Sequence, residues 1–453
     1  MKTSASSQNQ SPTQSQSSNK TKRILLCVLL SLVLLFVGGL SGYAICFYAG
    51  GSPAYTLGWV KDMVRKHYYL DLPEEQLKAA QMDDLFGYNG AQAILDNYSK
   101  YYTPQQYEEQ KAYRAGNQEG AGLSFVYPDG KAQIYRVNGN SPAEQSGLRS
   151  GMYVHAYGNS AQSLTPFNSS EFSSFLNGLT NGQSFVLQAS ESAQSQGQCY
   201  TLKIQGYTQN YVFYADAQYG YRFTGEEAES LTKTQTWLSF LPQDTAYLRL
   251  DAFYGDAAEQ IEEVLEIFEQ TGKSKLILDL RNNGGGLTSV LCDIAQYFCM
   301  PTDGTARSFP VSLIEYKGGR QSVYTASRNR YLEFFTPQTQ ITVLANVNTA
   351  SASEALIGAM LDYQTLDYED IFLAQIDGVA KTYGKGIMQR SFENVLTGAA
   401  VKLTTATLRW PVSNRCIQGV GITPEDGAMP VFSNGYVDYN DGMLQQIITD
   451  YFA

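Results

Sequence analysis

The run Ile341-Thr-Val-Leu-Ala345 is apolar, and so is Ala355-Leu-Ile-Gly-Ala-Met-Leu361, with nine residues between them. A short apolar run without alternation reads as a strand buried on both faces, and the longer run as a buried helix. The same grammar recurs upstream. Thr245-Ala-Tyr-Leu-Arg-Leu250 reads as a strand, Ala257 to Phe268 as an amphipathic acid-rich helix, and Lys275-Leu-Ile-Leu-Asp-Leu280 as a second apolar strand. Strands alternating with helices in this way require a mixed or parallel sheet with helices packed on it. The chain is therefore expected to be α/β over its C-terminal half.

The turn between the two apolar runs at 341–361 holds Asn348-Thr-Ala-Ser-Ala-Ser-Glu354. Ser351 then sits where a strand ends and a helix begins. Unpaired N–H groups and the positive end of the helix dipole favour developing negative charge there. That position suits a nucleophilic serine. It also suits a plain helix cap, because Ser351 and Glu354 have the capping-box spacing.

Two further stretches bear on that choice. Arg281-Asn-Asn-Gly-Gly-Gly-Leu287 follows the strand at 275–280 and precedes a helix carrying Val290, Leu291, Ile294 and Phe298. Three glycines at a strand end allow a ligand to approach the backbone closely. Phosphate and an oxyanion both fit this loop, which lacks the Gly-Lys-Ser/Thr of a phosphate loop. In Lys381-Thr-Tyr-Gly-Lys-Gly-Ile-Met-Gln389, Lys385 stands between two glycines, which lets its side chain fold into a tight apolar place. Desolvation there disfavours the ammonium and makes a general base. A solvated lysine in a glycine loop is the alternative.

Upstream, residues 1–19 are Ser, Gln, Asn and Thr with almost no apolar content and read as a disordered tail. After Lys20, Lys22 and Arg23, the run Ile24 to Phe47 carries no charge over 24 residues, enough to span a bilayer. The basic flank places the N-terminus in the cytoplasm and the bulk of the chain outside. A cleaved signal peptide is the competing reading. We divide the chain into a tail at 1–23, a transmembrane anchor at 24–48, a helical module at 49–118, a small β domain at 119–205 and an α/β core with a cap at 206–453. Within the helical module, Leu57–His67, a helix opened by Pro73, one beginning near Gln92 and one opened by Thr103-Pro104 are expected.

The segment 119–205 switches to strand and turn signals. Gly120-Ala-Gly-Leu-Ser-Phe125 leads into a strand, and Ala132–Val137 is another. Asn140-Ser-Pro-Ala-Glu-Gln-Ser-Gly-Leu148 is a short helix capped by Ser141. A helix at Ser169–Leu179 puts Phe172, Phe175, Leu176 and Leu179 on one side. This order and the Ser-Pro-Ala-Glu-x-x-Gly-Leu-x-x-Gly pattern resemble a PDZ domain. The resemblance implies that Gly122, Leu123, Ser124 and Phe125 receive the C-terminal carboxylate of a peptide that adds as a strand.

In order and spacing, the Gly-rich loop, Thr-Ala-Ser351-Ala-Ser-Glu and Thr-Tyr-Gly-Lys385-Gly-x-x-Gln389 resemble the C-terminal processing peptidases, or tail-specific proteases. Leu95–Pro104, Val401–Ala406 and Ile417–Pro424 fit the same family. The resemblance implies a crotonase-like mixed-sheet core with an inserted PDZ domain and an N-terminal helical module. It also implies a Ser/Lys dyad in which Ser351 is the nucleophile, Lys385 the base and Gln389 the residue that orients it. The N–H of Ala352 and that of Gly285 or Gly286 would form the oxyanion hole. Neither metal nor cofactor is expected, the substrates are protein C-terminal tails, and subunits are expected to pair through the helical module. A catalytically silent PDZ scaffold is the alternative function.

Two departures stand out. The interval from Ser351 to Lys385, 34 residues, is long for the family, and the extra length near Gln364–Gln375 reads as a surface loop. The region Tyr207–Phe240 is long for a linker and is a candidate for the cap. A net charge of −11 argues against nucleic-acid binding. Two histidines, and six cysteines without a Cys-x-x-Cys pair, leave little material for zinc. Cys292 and Cys299, seven apart, read as core thiols.

Overall fold

The computed structural model describes residues 35–36, 52–224, 231–236, 238–301, 307–432 and 442–451. The expected tail and most of the expected anchor lie outside the described residues, and among the described residues no helix is long and apolar enough to cross a membrane. The chain divides into two compact units. The first gathers residues up to 66 with 72–104 and 391–401, and the second holds 67–71, 105–390 and 402–453.

The first unit carries helices α1 (Pro53–His67), α2 (Glu74–Ala79) and α3 (Met82–Phe86). Val60, Val64, Leu77 and Leu85 are its buried side chains on these helices. The helix expected near Gln92 is absent. Residues 91–99 instead run as a loop, with Ile94 and Leu95 donating to the carbonyls of Asp84 and Leu85. The Asp96 carboxylate accepts from the N–H groups of Tyr98 and Ser99. That local bonding offers the backbone an alternative to a helix.

The second unit begins with α4 (Pro104–Arg114) and an antiparallel ribbon of β1 (Asn117–Gly120) and β8 (Gln205–Thr208). Between the ribbon's strands lies the small β domain. Its strands are β2 (Leu123–Val126), β3 (Ala132–Val137), β4 (Tyr153–Ser160), β5 (Ser163–Pro166), β6 (Ser184–Ser190) and β7 (Gln198–Lys203), in the order β2-β3-β4-β6-β7 with β5 paired to β4. Helices α5 (Pro142–Gln145) and α6 (Ser169–Asn177) complete it. The Ser141 hydroxyl accepts from Glu144 N–H, the expected cap. Its core gathers Ile134, Leu148, Val154, Phe172, Phe185 and Leu187.

An eight-stranded sheet forms the α/β core. Its order is β11 (Leu231–Gln235), β10 (Tyr219–Phe223), β9 (Val212–Asp216), β12 (Thr245–Leu250), β13 (Lys275–Asp279), β16 (Gln340–Asn346), β17 (Ile371–Gln375) and β20 (Met429–Phe432). The last five run parallel, and β9 joins β12 antiparallel. The strands have two buried faces. Leu276 and Leu278 pack in one cluster with helices α7 (Ala257–Gln270), α8 (Thr288–Phe298) and α9 (Ala352–Asp362). Ile277 packs in another with Met443, Leu444 and Ile447 of α10 (Gly442–Tyr451). Alternation along one strand thus feeds both layers. A second sheet contains β14 (Phe309–Tyr316), β15 (Gln321–Ala326), β18 (Ile387–Glu393) and β19 (Ala400–Arg409), with β14 antiparallel to both β15 and β19.

Two sequence expectations need correction. The stretch Gln364–Gln375 is a surface loop only as far as Asp370: Ile371–Gln375 is β17, an inner strand beside β16 with Ile371, Phe372, Leu373 and Ala374 buried. The described part of Tyr207–Phe240 is not a cap: it supplies β8 and the three-stranded antiparallel edge β9–β11 of the main sheet. Cys292 and Cys299 are buried free thiols, and burial pushes the Cys292 thiol up to about 12.

Candidate active site

Ser351 is the residue between the end of β16 and the first turn of α9, so it does occupy the cap position. Its backbone is not that of an ordinary cap. An N-cap residue is normally extended, whereas Ser351 has φ 59° and ψ −113°. A non-glycine residue in this region is strained and is held there only when its surroundings over-determine it. A sharp strand-to-helix turn of this kind exposes a serine hydroxyl above the sheet. Ala352, the first residue of α9, keeps an N–H that the helix itself cannot satisfy.

What holds the turn is Glu354. Its carboxylate is fully buried and accepts four hydrogen bonds. Oε2 takes the N–H of Ser351 and the N–H of Lys385, each at 2.9 Å. Oε1 takes the Thr382 hydroxyl at 2.6 Å and the Gly384 N–H at 2.7 Å. One oxygen therefore fixes the backbones of both candidate dyad residues, and twice 2.9 Å is the ceiling on the separation of their nitrogens. Burial raises the Glu354 pKa, while the four donors pull it back down.

The lysine loop is clamped from its other side. Gly384 has φ 86°, and its carbonyl accepts from Gly419 N–H at 2.8 Å. A Cβ there would lie 2.8 Å from Gly421 N, so only glycine fits. Gly386 N–H donates to Gln418 Oε1 at 2.8 Å. Lys385, between them, is half-buried. Gln389 follows on β18, and its amide donates to Thr404 Oγ1 at 3.1 Å. A carbonyl oxygen at the same side-chain end can accept from a lysine.

The Gly-rich loop leaves the end of β13 and lies against the serine turn. Asn283 is the anchor: its side chain donates to Leu250 O at 2.8 Å, and its carbonyl accepts from Ala350 N–H and the Ser353 hydroxyl, both at 3.0 Å. A Cβ on Gly285 would lie 2.8 Å from Ala350 O, Ala352 N and Ser351 Cβ. The two halves of the expected oxyanion hole are thus adjacent. The choice between the glycines narrows, because Gly285 N–H already donates to Asn283 Oδ1 at 2.9 Å. Gly286 pairs with Phe253 in a parallel bridge formed through the Gly285 carbonyl and the Leu287 N–H, which leaves the Gly286 N–H out of that pairing.

Asparagine and threonine side chains lock the two strand ends together. Asn346 Oδ1 accepts from Asn282 N–H at 3.0 Å, Asn346 and Asn348 both donate to Asn282 Oδ1, and the Thr349 hydroxyl donates to Leu280 O at 2.8 Å. Thr382, Asn283 and these residues carry no mark in the sequence beyond lying in or next to the motifs, and Glu354 is marked only by its capping-box spacing to Ser351.

Gly122, Leu123, Ser124 and Phe125 come together on and before β2, which is the terminal strand of its sheet. Among the described residues no strand pairs with its outer edge in that sheet. Gly122, at φ 78°, lies so close to Ser141 that a Cβ would overlap it. Phe125 packs edge-on to Phe172 of α6. On the neighbouring strand, Arg136 is the cross-strand partner of Ser124, and its guanidinium donates to Asn282 O at 2.5 Å. Tyr135 OH accepts from Asn348 at 3.4 Å. The small domain therefore touches the Gly-rich loop and the serine loop.

Residues 244–426 match the model of peptidase family S41. A carboxyl-terminal-processing protease of Synechocystis sp. is 34% identical over 190 residues, which is 41% of this chain and 38% of that protein. A chloroplastic C-terminal processing peptidase of Tetradesmus obliquus is 26% identical over 343 residues, 74% of this chain and 65% of that protein. The matched stretches thus span less than two thirds of these relatives' own lengths. Among solved structures, a candidate S41 protease of Bacteroides fragilis NCTC 9343 has a TM-score of 0.57 at 16% identity, over 87% of this chain and 97% of that one. That likeness shows the mixed α/β fold.

Proposed function

We propose, from the match of residues 244–426 to the model of peptidase family S41 and the likeness to carboxyl-terminal-processing proteases, that the chain is a serine endopeptidase of that family working through a Ser351/Lys385 dyad. One observation carries the reading: a single buried oxygen of Glu354 binds the N–H of a strained Ser351 and the N–H of Lys385. A helix cap alone has no use for a second loop tied to the same carboxylate.

In the proposed mechanism the neutral Lys385 amine takes the proton from Ser351 Oγ as that oxygen attacks the scissile carbonyl carbon. The carbonyl oxygen becomes an oxyanion facing the N–H of Ala352 and, of the two glycines, that of Gly286. The Lys385 ammonium then returns its proton to the leaving amine nitrogen as the C–N bond breaks. Water then attacks the acyl carbon while losing a proton to the same lysine, and the lysine passes that proton to Ser351 Oγ as the C–Oγ bond breaks, which restores both groups. The Gln389 carbonyl oxygen is assigned to hold the amine in place. No metal or cofactor is assigned a part.

Substrates are proposed to be chosen by their C-terminal tails. The open edge of β2 suits strand addition, with the turn at Gly122 receiving the carboxylate. Arg136 supports a coupling between tail capture and the catalytic loops, since it bridges from the partner strand of β2 to Asn282. The uncharged run Ile24–Phe47 behind a basic flank supports a single membrane anchor with the catalytic part on the extracytoplasmic side, and the helical module is assigned to self-association. The test uses an unstructured protein ending in apolar residues and its counterpart ending in Asp-Asp. Cleavage of the first, at a rate that falls when residues 119–205 are deleted, is expected. Equal cleavage of both would remove tail selection.

A further inference from the structure

The direction in which the Lys385 side chain leaves the backbone depends on the two peptide groups that flank its Cα. The first is held from both sides: the Gly384 carbonyl accepts from Gly419 N–H at 2.8 Å, and Lys385 N–H donates to Glu354 Oε2 at 2.9 Å. With that peptide alone fixed, rotation about the N–Cα bond of Lys385 would still swing its Cβ and the following peptide together. The second peptide ends in the N–H of Gly386. Gly386 is buried, and its N–H donates to a side chain, Gln418 Oε1, at 2.8 Å. The Gly386 carbonyl accepts from Leu408 N–H, but a glycine between the two groups leaves the N–H free to turn. Gln418 is itself exposed, so its removal would empty no core, yet it would leave a buried N–H without a partner.

The segment that carries Gln418 is fixed from the serine side. Helix α9 starts immediately after Ser351 and ends at Asp362. Asp362 Oδ2 accepts the N–H groups of Val412 and Ser413 at 2.7 and 2.9 Å. One turn earlier on the same helix, Gly358 seats the Trp410 indole, and a Cβ there would overlap the ring. The Arg415 guanidinium lies over that ring, 4.9 Å from its centroid, and pairs with Asp426 at 3.0 Å. Ile417 is buried, and its carbonyl accepts from the N–H groups of Val420 and Gly421 at 2.9 and 3.0 Å, which turns the chain tightly at Gln418. Residues 410–422 thus form a strap from the end of the serine helix to the peptide after the lysine. Strap and loop touch: a Cβ on Gly386 would lie 2.8 Å from Gln418 N and 3.0 Å from Cys416 Sγ.

We propose that Gln418 is a positioning residue for Lys385, holding the Gly386 peptide from the strap so that the amine stays aimed at Ser351. This rests on the Ser351/Lys385 reading and adds a second support to it. Glu354 fixes the peptide before the lysine Cα, and Gln418 fixes the peptide after it. Both supports lead back to α9, since Glu354 lies in its first turn and the strap is bonded to its last residue.

The test uses the full chain and a peptide ending in apolar residues. Gln418→Met keeps the length of the side chain and removes the acceptor, whereas Gln418→Glu keeps an acceptor. Rates are counted per site titrated with a fluorophosphonate, so a partly folded preparation is still read. In Gln418→Met, kcat should fall about tenfold with KM within about twofold of wild type. A shift well under the 1 Å that costs about a hundredfold acts on the chemical step and not on tail binding. In Gln418→Glu, kcat should return to within about threefold of wild type at alkaline pH, where the added charge no longer decides how much of Lys385 is neutral. A wild-type kcat in Gln418→Met, a loss carried by KM, or an equal loss of kcat in both variants overturns this inference, and the dyad stands as long as Ser351 is labelled. Wild type that fails to label at Ser351 overturns the Ser351/Lys385 reading and the inference with it.

Discussion

Glu354→Gln is the substitution that probes the hub most selectively, because it keeps the shape of the side chain and changes one oxygen into an NH₂. Two donors converge on each carboxylate oxygen, at 2.6 and 2.7 Å on one and 2.9 Å twice on the other. Whichever way the amide turns, two hydrogen-bond donors face a donor. If the Thr382 hydroxyl, which already accepts from Ile422 N–H at 2.8 Å, turns to accept from the amide with its second lone pair, its own proton loses the Glu354 acceptor. Hydrogen bonds to a charged group contribute about 1.5–3 kcal/mol each, so losing two should cost about 3–6 kcal/mol. Urea denaturation followed by tryptophan fluorescence should show a clearly lower midpoint at unchanged slope. The surviving fold should also hydrolyse a peptide about a hundredfold more slowly, because loops displaced by about 1 Å lose that much. A variant within about 0.5 kcal/mol of wild type and fully active would refute the reasoning, since that is the range of an uninvolved surface change.

Three other outcomes follow from the geometry. Gly285→Ala forces a side chain into φ 94° and to within 2.8 Å of the serine turn, so thermal unfolding should register a loss of about 2–4 kcal/mol and peptide hydrolysis should nearly vanish. Arg136→Ala removes the charged donor to Asn282, and kcat/KM on a tailed protein should drop about tenfold while a short tailless peptide is cut as before; equal losses on both would mean that Arg136 only supports the fold. Burial holds the Glu354 pKa above the ordinary carboxylate value. Between the unfolded and folded values the folded chain therefore binds the extra proton. Glu354 thus makes stability fall as pH rises through that window and has no effect above it. Activity moves the opposite way, because a protonated carboxyl cannot accept all four donors: the acidic limb of kcat should lie above the usual glutamate range, and Glu354→Gln should flatten it.

The sequence makes legible those elements whose burial pattern is local. The strands at 245–250, 275–279 and 340–346 are short apolar runs, and the turn chemistry after the last two marks where the site is built. The strand β17 escapes because its four apolar residues follow Asp367-Tyr-Glu-Asp370 and look like part of an acidic surface insertion. The helix expected near Gln92 fails because Asp96 satisfies the backbone by itself. Ser351, Lys385 and the glycines are visible as motifs, and the structure brings their backbones together. The residue that does so was visible only as a local cap. Spacing reveals that Glu354 lies one helical turn from Ser351, but two backbone donors and a hydroxyl reach it from about 30 residues away, through a fold that no local pattern encodes. Arg136 is hidden for the same reason, with Asn282 more than a hundred residues distant in the chain.

The central claim is that Ser351 is a nucleophile activated by Lys385. Intact-mass analysis after fluorophosphonate treatment measures this directly. One adduct per wild-type chain, mapped by fragmentation to Ser351, absent in Ser351→Ala and at least about a hundredfold slower in Lys385→Ala, is the predicted result. An adduct that persists in Ser351→Ala, or one that forms at the wild-type rate without Lys385, would contradict the account.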